Sequence, residues 1–243
     1  MKTVVIIQAR MGSTRLPGKA LRDIAGQPML ARVVARARRA ALVDEVIVAT
    51  TLAPADAAIV AACEQLQVAC FRGSEEDVLD RYYQAAQAYQ ADVVVRITSD
   101  CPLIEPTIIN QVIGAFQESG ADYASNTLAR TFPRGLDTEV FSMAALSQTW
   151  EAATAPFQRA HVTPYMYQNP HLFRLVGVTA GEDYGRYRWT VDTLEDWQLV
   201  QAIYEHFAPR QDFSWQEVLQ LLAETPQLSA INAHIAQKEL QQG

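Results

Sequence analysis

The first half of the chain alternates short β-branched runs with amphipathic segments, and few folds accommodate that order. Strands are expected at Thr3 to Gln8, Glu45 to Thr50, Val68 to Phe71 and Asp92 to Thr98. Between them Leu30, Val33, Val34 and Ala37 make one helical face, and Val78, Leu79, Tyr82, Tyr83 and Ala86 make another. Strand, helix and strand in repetition give parallel strands joined by helices that cover the sheet. Arg32, Arg36 and Arg39 also recur at helical spacing, opposite the apolar face of their helix, and read as a solvated face rather than a nucleic-acid patch.

After Pro102 and Pro106 the order loosens. A helix is expected from Thr107 to Ser119, strands near Tyr123 and at Thr138 to Phe141, and helices at Met143 to Ala153 and Phe157 to Gln168. Strands at Phe173 to Val178 and Arg188 to Val191 follow, then helices at Leu194 to Phe207 and Ser214 to Ala223. The sheet is therefore expected to be mixed. No repeat, low-complexity tract or Gly/Ser linker interrupts the chain, so one continuous domain over 1–243 is the simplest account.

A chain of 243 residues, 49% of them hydrophobic, buries a sizeable core. Its net charge of −7 argues against broad binding to nucleic acid or anionic membranes, so any phosphate site must be concentrated. No stretch approaches the ~20 apolar residues of a membrane span, and Gln8 and Arg10 stand where a secretory apolar region would continue, so a cytoplasmic location is expected. Cys63, Cys70 and Cys101 are odd in number and lack metal-ligand spacing; they read as small buried hydrophobes.

Basic charge is concentrated directly after the first strand, where Gln8 to Leu21 reads QARMGSTRLPGKAL. Gly12 and Gly18 let backbone amides turn toward an anion, Ser13 and Thr14 add hydroxyl donors, and Arg10, Arg15 and Lys19 supply positive charge. The carboxyl end of a strand in an open α/β sheet is also where such folds bind ligands. The spacing fits neither G-x-x-x-x-G-K-[ST] nor G-x-G-x-x-G, and on physical grounds alone an ordinary basic turn remains open.

QARMGSTRLPGKAL resembles the signature loop of the cytidylyltransferases that make CMP-activated sugars, in the SpsF-like branch of spore-coat polysaccharide synthesis, related to CMP-KDO and acylneuraminate synthetases. RGSEEDVLDRYYQAA, RITSDCPLIEP, SNT, GLDTEVFS, HVTPY and RWTVDTLEDWQLV follow in the order expected of that branch, over nearly the whole chain. The resemblance implies a three-layer α/β/α fold with a mixed, mostly parallel sheet, of the nucleotide-diphospho-sugar transferase, GT-A-like type. It implies transfer of CMP from CTP to a sugar or sugar acid with release of pyrophosphate, dependence on Mg²⁺, and a homodimer. Residues 1–106 would hold the nucleotide and 107–243 the acceptor and the dimer contact. Nucleotide contacts would come from Gln8, Ala9, Arg10, Gly12, Ser13, Arg15 and Lys19, and from Thr50, Thr51, Ser74 and Asp77, with Arg10, Lys19 and Asp100 catalytic.

Asp100 follows the valine-rich strand and Asp192 follows the apolar run at Arg188 to Val191. Each has a plain structural alternative: a turn before Pro102 for Asp100, and a helix cap with Thr193 and Asp196 for Asp192. In the family, aspartates at these two motif positions hold Mg²⁺, a hard cation that takes one or two carboxylates completed by phosphate oxygens and water. Ser74 and Asp77 likewise form a possible capping box. On the acceptor side stand Asn126, Arg134, Asp137, Glu139, His161 and Arg188, with His161 a candidate to orient or deprotonate the acceptor and Arg188 to reach a phosphate or carboxylate. Two departures from the family pattern are Arg134, where an acidic or small polar residue is usual, and Ser99, where glycine is common and serine requires a negative φ. Rival readings are a glycosyltransferase, disfavoured because the chain contains no Asp-x-Asp triplet, and a non-catalytic nucleotide-binding module.

Overall fold

The structure, a computed structural model, describes residues 1–237. Its order is β1 (Thr3–Gln8), a small hairpin of β2 (Asp23–Ile24) and β3 (Gln27–Pro28), α1 (Met29–Ala37), β4 (Glu45–Thr51), α2 (Ala57–Gln65), β5 (Ala69–Gly73), α3 (Val78–Ala88), β6 (Val93–Thr98) and α4 (Pro106–Ser119). The second half continues with β7 (Tyr123–Ser125), β8 (Glu139–Ser142), α5 (Met143–Ala152), α6 (Pro156–His161), α7 (Pro164–Gln168), β9 (Leu175–Gly177), α8 (Leu194–Phe207), α9 (Trp215–Glu224) and α10 (Pro226–Ala230).

Seven strands form one sheet in the order β5-β4-β1-β6-β8-β7-β9. β1 pairs in parallel with both β4 and β6, β4 pairs in parallel with β5, and the antiparallel pairs are β6 with β8 and β7 with β8. The sheet is thus mixed and mostly parallel, as expected. β1 lies at its centre because TVVIIQ can be buried on both faces. Val5 and Ile7 point into a core with α1, α4, α8 and α9, whereas Val4 and Ile6 point into a second core with α3, α5 and the α6–α7 segment. Period-two alternation on a strand covered on both sides produces the three layers.

The chain leaves β1 toward β4 on one side and returns to pair with β1 on the other through β6. A crevice opens at such a reversal, above the carboxyl ends of the two strands. The loop after β1 and the turn after β6 meet there.

Three expectations need correction. Arg32 and Arg36 do not face solvent: they are 4% and 3% exposed. Arg32 donates to the carbonyls of Ile24 and Ala25 and lies over the Tyr204 ring, while Arg36 donates to the Tyr204 hydroxyl and the Phe213 carbonyl. The polar stripe of α1 is covered by α8 and the segment before α9, brought from the far end of the chain. Second, the expected helix at Phe157 to Gln168 is broken into α6 and α7, because Val162 takes φ 73 and Pro164 follows. Third, among the described residues Arg188 to Val191 forms no strand of the sheet: Arg188 makes an isolated bridge to Arg134, and Val191 N–H donates to the Asp100 carbonyl. Gly135 explains the close approach: at φ 103, a Cβ there would lie 2.6 Å from the backbone of Trp189 and Thr190.

Candidate active site

The loop after β1 is built into the fold. Ala9 N–H donates to the Ala49 carbonyl, Leu16 is 5% exposed, and Gly18 at φ 67 lets its N–H return to the Met11 carbonyl and opens the 3-10 turn at Lys19–Leu21. Asp56, 2% exposed, clasps the loop to the end of β4. Its carboxylate accepts from the Met11 N–H at 2.8 Å, from the Thr51 N–H and from the hydroxyls of both Thr50 and Thr51. Burial would raise its pKa, and these four donors outweigh that and lower it. Asp56 was not singled out in the sequence; an acid closing a short Pro54 turn directly after a buried Thr-Thr pair is the signal that could have found it. Thr50 and Thr51 have both hydroxyls committed to it.

Among the described residues, the amides of Arg10, Gly12, Thr14 and Arg15 make no backbone hydrogen bond. The Arg10 side chain is exposed and close enough to the buried Arg81 that, after burial itself, its like charge contributes to lowering the Arg81 pKa. Buried Gln8 Oε1 has no hydrogen-bond partner among the described residues.

Lys19 crosses the crevice. Its Nζ lies 2.8 Å from Asp100 Oδ2, 2.8 Å from Asp192 Oδ1 and 3.0 Å from the Val191 carbonyl, so the two carboxylates face one point. Burial alone would lower the Lys19 pKa, but the flanking carboxylates reverse that and raise it above the ordinary lysine value. Burial likewise pushes Asp100 up, yet the Lys19 ammonium and the Thr98 hydroxyl bring it down to about 2. Asp100 sits two residues beyond β6, and its carbonyl accepts from Val191 N–H at 2.8 Å, which draws the Asp192 segment against it. Ser99, 6% exposed, is not among the residues with positive φ, so the serine is accommodated.

Asp192 does not cap α8. Thr193 does, in a capping box with Asp196, which leaves the Asp192 carboxylate for the crevice. Arg15 reaches its Oδ2 at 3.1 Å and Arg188 reaches the same oxygen at 2.9 Å.

The remaining candidates separate by what holds them. Ser74 and Asp77 do build the start of α3: Ser74 Oγ accepts from Asp77 N–H, Asp77 accepts from Asp80 N–H and pairs with Arg159 at 2.7 Å. Asn126, 1% exposed, spends its amide on the Leu136 carbonyl and the Thr138 N–H. Glu139 is paired with Arg96 and accepts from the Tyr123 and Thr163 hydroxyls. Asp137 holds a bidentate pair with Arg130 at 2.7 and 2.8 Å. Arg134 is bridged by its backbone to Arg188, and burial, then the neighbouring Arg130 charge, lower its pKa. His161 closes α6 beside the strained Val162. The Arg188 guanidinium donates to Asp192, Asp196 and Gln237.

A basic loop meets two facing carboxylates at the strand reversal, and comparisons with known proteins give the family. The profile of the family described as cytidylyltransferase matches residues 4–237. The chain belongs to the cytidylyltransferase family. It is 36% identical over 228 residues to the spore coat polysaccharide biosynthesis protein SpsF of Bacillus subtilis, covering 91% of this chain and 94% of that protein. It is 38% identical over 198 residues to a 3-deoxy-manno-octulosonate cytidylyltransferase of Anaeromyxobacter, covering 74% and 78%. A solved cytidylyltransferase from Leptospira borgpetersenii superposes with a TM-score of 0.91 at 30% identity, covering 98% of this chain and all of that one. This cytidylyltransferase is therefore a CTP-using nucleotidyltransferase with the α/β/α fold that the resemblance implied. No helix among its described residues is long and apolar enough to cross a membrane.

Proposed function

We propose that the enzyme transfers CMP from CTP to a hydroxyl of a sugar or sugar acid, releasing pyrophosphate, with Mg²⁺ held by Asp100 and Asp192, for glycan or surface polysaccharide synthesis. The observation that carries this reading is the convergence of both carboxylates on the Lys19 ammonium at 2.8 Å. A place that accommodates one cation between two carboxylates suits a divalent ion that completes its shell with phosphate oxygens and water. When bound, Mg²⁺ would neutralise negative charge on the triphosphate and polarise the α-phosphoryl group.

The protein's own groups do the rest. The open amides of Arg10, Gly12, Thr14 and Arg15 and the side chains of Arg10, Arg15 and Lys19 bind the triphosphate and stabilise the charge that develops on the departing pyrophosphate. The acceptor hydroxyl attacks the α-phosphorus in line, the P–O bond to pyrophosphate breaks, and no covalent enzyme intermediate forms. Arg134 and Asp137, on the loop bridged to Arg188, border the acceptor side.

Four nucleoside triphosphates crossed with sugar acids and neutral sugars, read by pyrophosphate release, test the reaction. CTP with a sugar or sugar acid is expected to give turnover, and activity with another nucleotide alone would overturn the assignment. Asp100→Ala and Asp192→Ala should each abolish Mg²⁺-dependent turnover with the circular dichroism spectrum unchanged; wild-type activity in both would remove the metal site. Homodimerisation, also implied by the resemblance, is checked by sedimentation of the full chain.

A further inference from the structure

Behind Asp192 lies a buried ion pair. Arg188 is 7% exposed and Asp196 is fully buried. Arg188 Nε and Nη2 grip the two oxygens of Asp196 at 2.9 and 3.0 Å, and the same Nη2 reaches Asp192 Oδ2 at 2.9 Å. Asp196 also accepts from the Asp192 and Thr193 amides at 3.0 and 3.1 Å, so it fixes the backbone of Asp192 as well as, through Arg188, its side chain. Asn232 locks the arrangement by donating to both Asp196 Oδ1 and the Arg188 carbonyl at 2.8 Å.

Simple stability is a poor reason to bury this pair. Desolvating two charges costs about as much as their attraction returns, and apolar replacements of such pairs are often neutral or better. What the geometry does supply is orientation. With Oδ2 held by Arg188, Asp192 presents Oδ1 to the point it shares with Asp100. Partners that orient a ligating carboxylate in this way set the affinity of the site for its ion.

We propose that Arg188 and Asp196 are positioning residues that select the oxygen of Asp192 turned toward Asp100, and thereby set divalent-cation affinity. This inference rests on the metal reading above. The test is titration of the full chain with Mn²⁺, followed by electron paramagnetic resonance with and without CTP, on the wild type, Arg188→Lys and Asp196→Asn. Lysine keeps the charge without the planar fork, and asparagine keeps the cap acceptor without the charge, so each has its own route to a folded protein, verified by thermal melting. Mn²⁺ affinity is expected to fall about 10–100-fold in both, while CTP affinity in EDTA stays at the wild-type value. Wild-type Mn²⁺ affinity in either folded variant overturns the positioning role and leaves the metal site standing. A wild type that binds no Mn²⁺, with or without CTP, overturns the metal reading and this proposal with it.

Discussion

Lys19 is the residue on which the crevice turns. Its ammonium is one of the few positive charges that separate Asp100 from Asp192, so Lys19→Met should destabilise the metal-free protein by leaving two partly buried carboxylates facing each other. Divalent cations should restore what is lost. The expected result is a lower melting temperature than wild type in EDTA and a larger rise on adding Mg²⁺, measured by differential scanning fluorimetry. The pH dependence follows from Asp100. Its folded pKa of about 2 lies below the ordinary carboxylate value, so the stabilisation is complete above that ordinary value and is lost as pH falls toward 2. Urea unfolding between about pH 5 and pH 2 should show a steeper loss of stability in the wild type than in Asp100→Asn. The sequence names the types of side chain here but not their partners. Lys19, Asp100 and Asp192 stand out in sequence motifs and meet in space. Asn126, Glu139, Thr50, Thr51 and Arg188 look equally available, yet each is bonded internally: Thr50 and Thr51 to Asp56, Asn126 to Leu136, Glu139 to Thr163 and Arg188 to Asp196. Asn232, which locks the Arg188 pairing, carries no chemical signature beyond being polar.

At the scale of elements, local periodicity identified β1, β4, β5 and β6 and the helices α4, α5, α8 and α9 to within a residue or two, because apolar pattern and burial coincide there. It failed where distant elements supply the covering surface. The arginine stripe of α1 looks solvated until α8 packs over it, and the run at Arg188 to Val191 looks like a strand although, among the described residues, it forms no strand of the sheet. Gly135 makes that crossing possible. Gly135→Ala combines a left-handed φ with a Cβ 2.6 Å from backbone atoms. It should cost on the order of 3 kcal/mol and lower the melting temperature by roughly 5–10 °C. Because the crossing also carries Arg134 and Asp192, kcat should fall in the folded fraction, measured at a temperature well below the transition. Wild-type melting and turnover in this variant would show that the contact is slack.

Across the whole molecule, a net charge of −7 coexists with a cationic loop at the mouth of the crevice. Capture of CTP at the proposed loop site therefore depends on a local field that salt screens over a Debye length of about 10 Å at 0.1 M. The association rate of CTP, measured by stopped flow, should fall as KCl rises from 0.05 to 0.5 M, and more weakly in Arg10→Ala. A salt-independent rate would mean that the loop does not steer the ligand. The two cores share one sheet, which joins the first and second halves of the chain into a common support. On that support the Asp56 clasp has a thermodynamic meaning. By tying Met11 to the end of β4, it makes the loop after β1 surrender conformational entropy when the protein folds, before any ligand arrives. In the proposed CTP site, nucleotide association then carries a smaller ordering penalty, because the loop is already shaped.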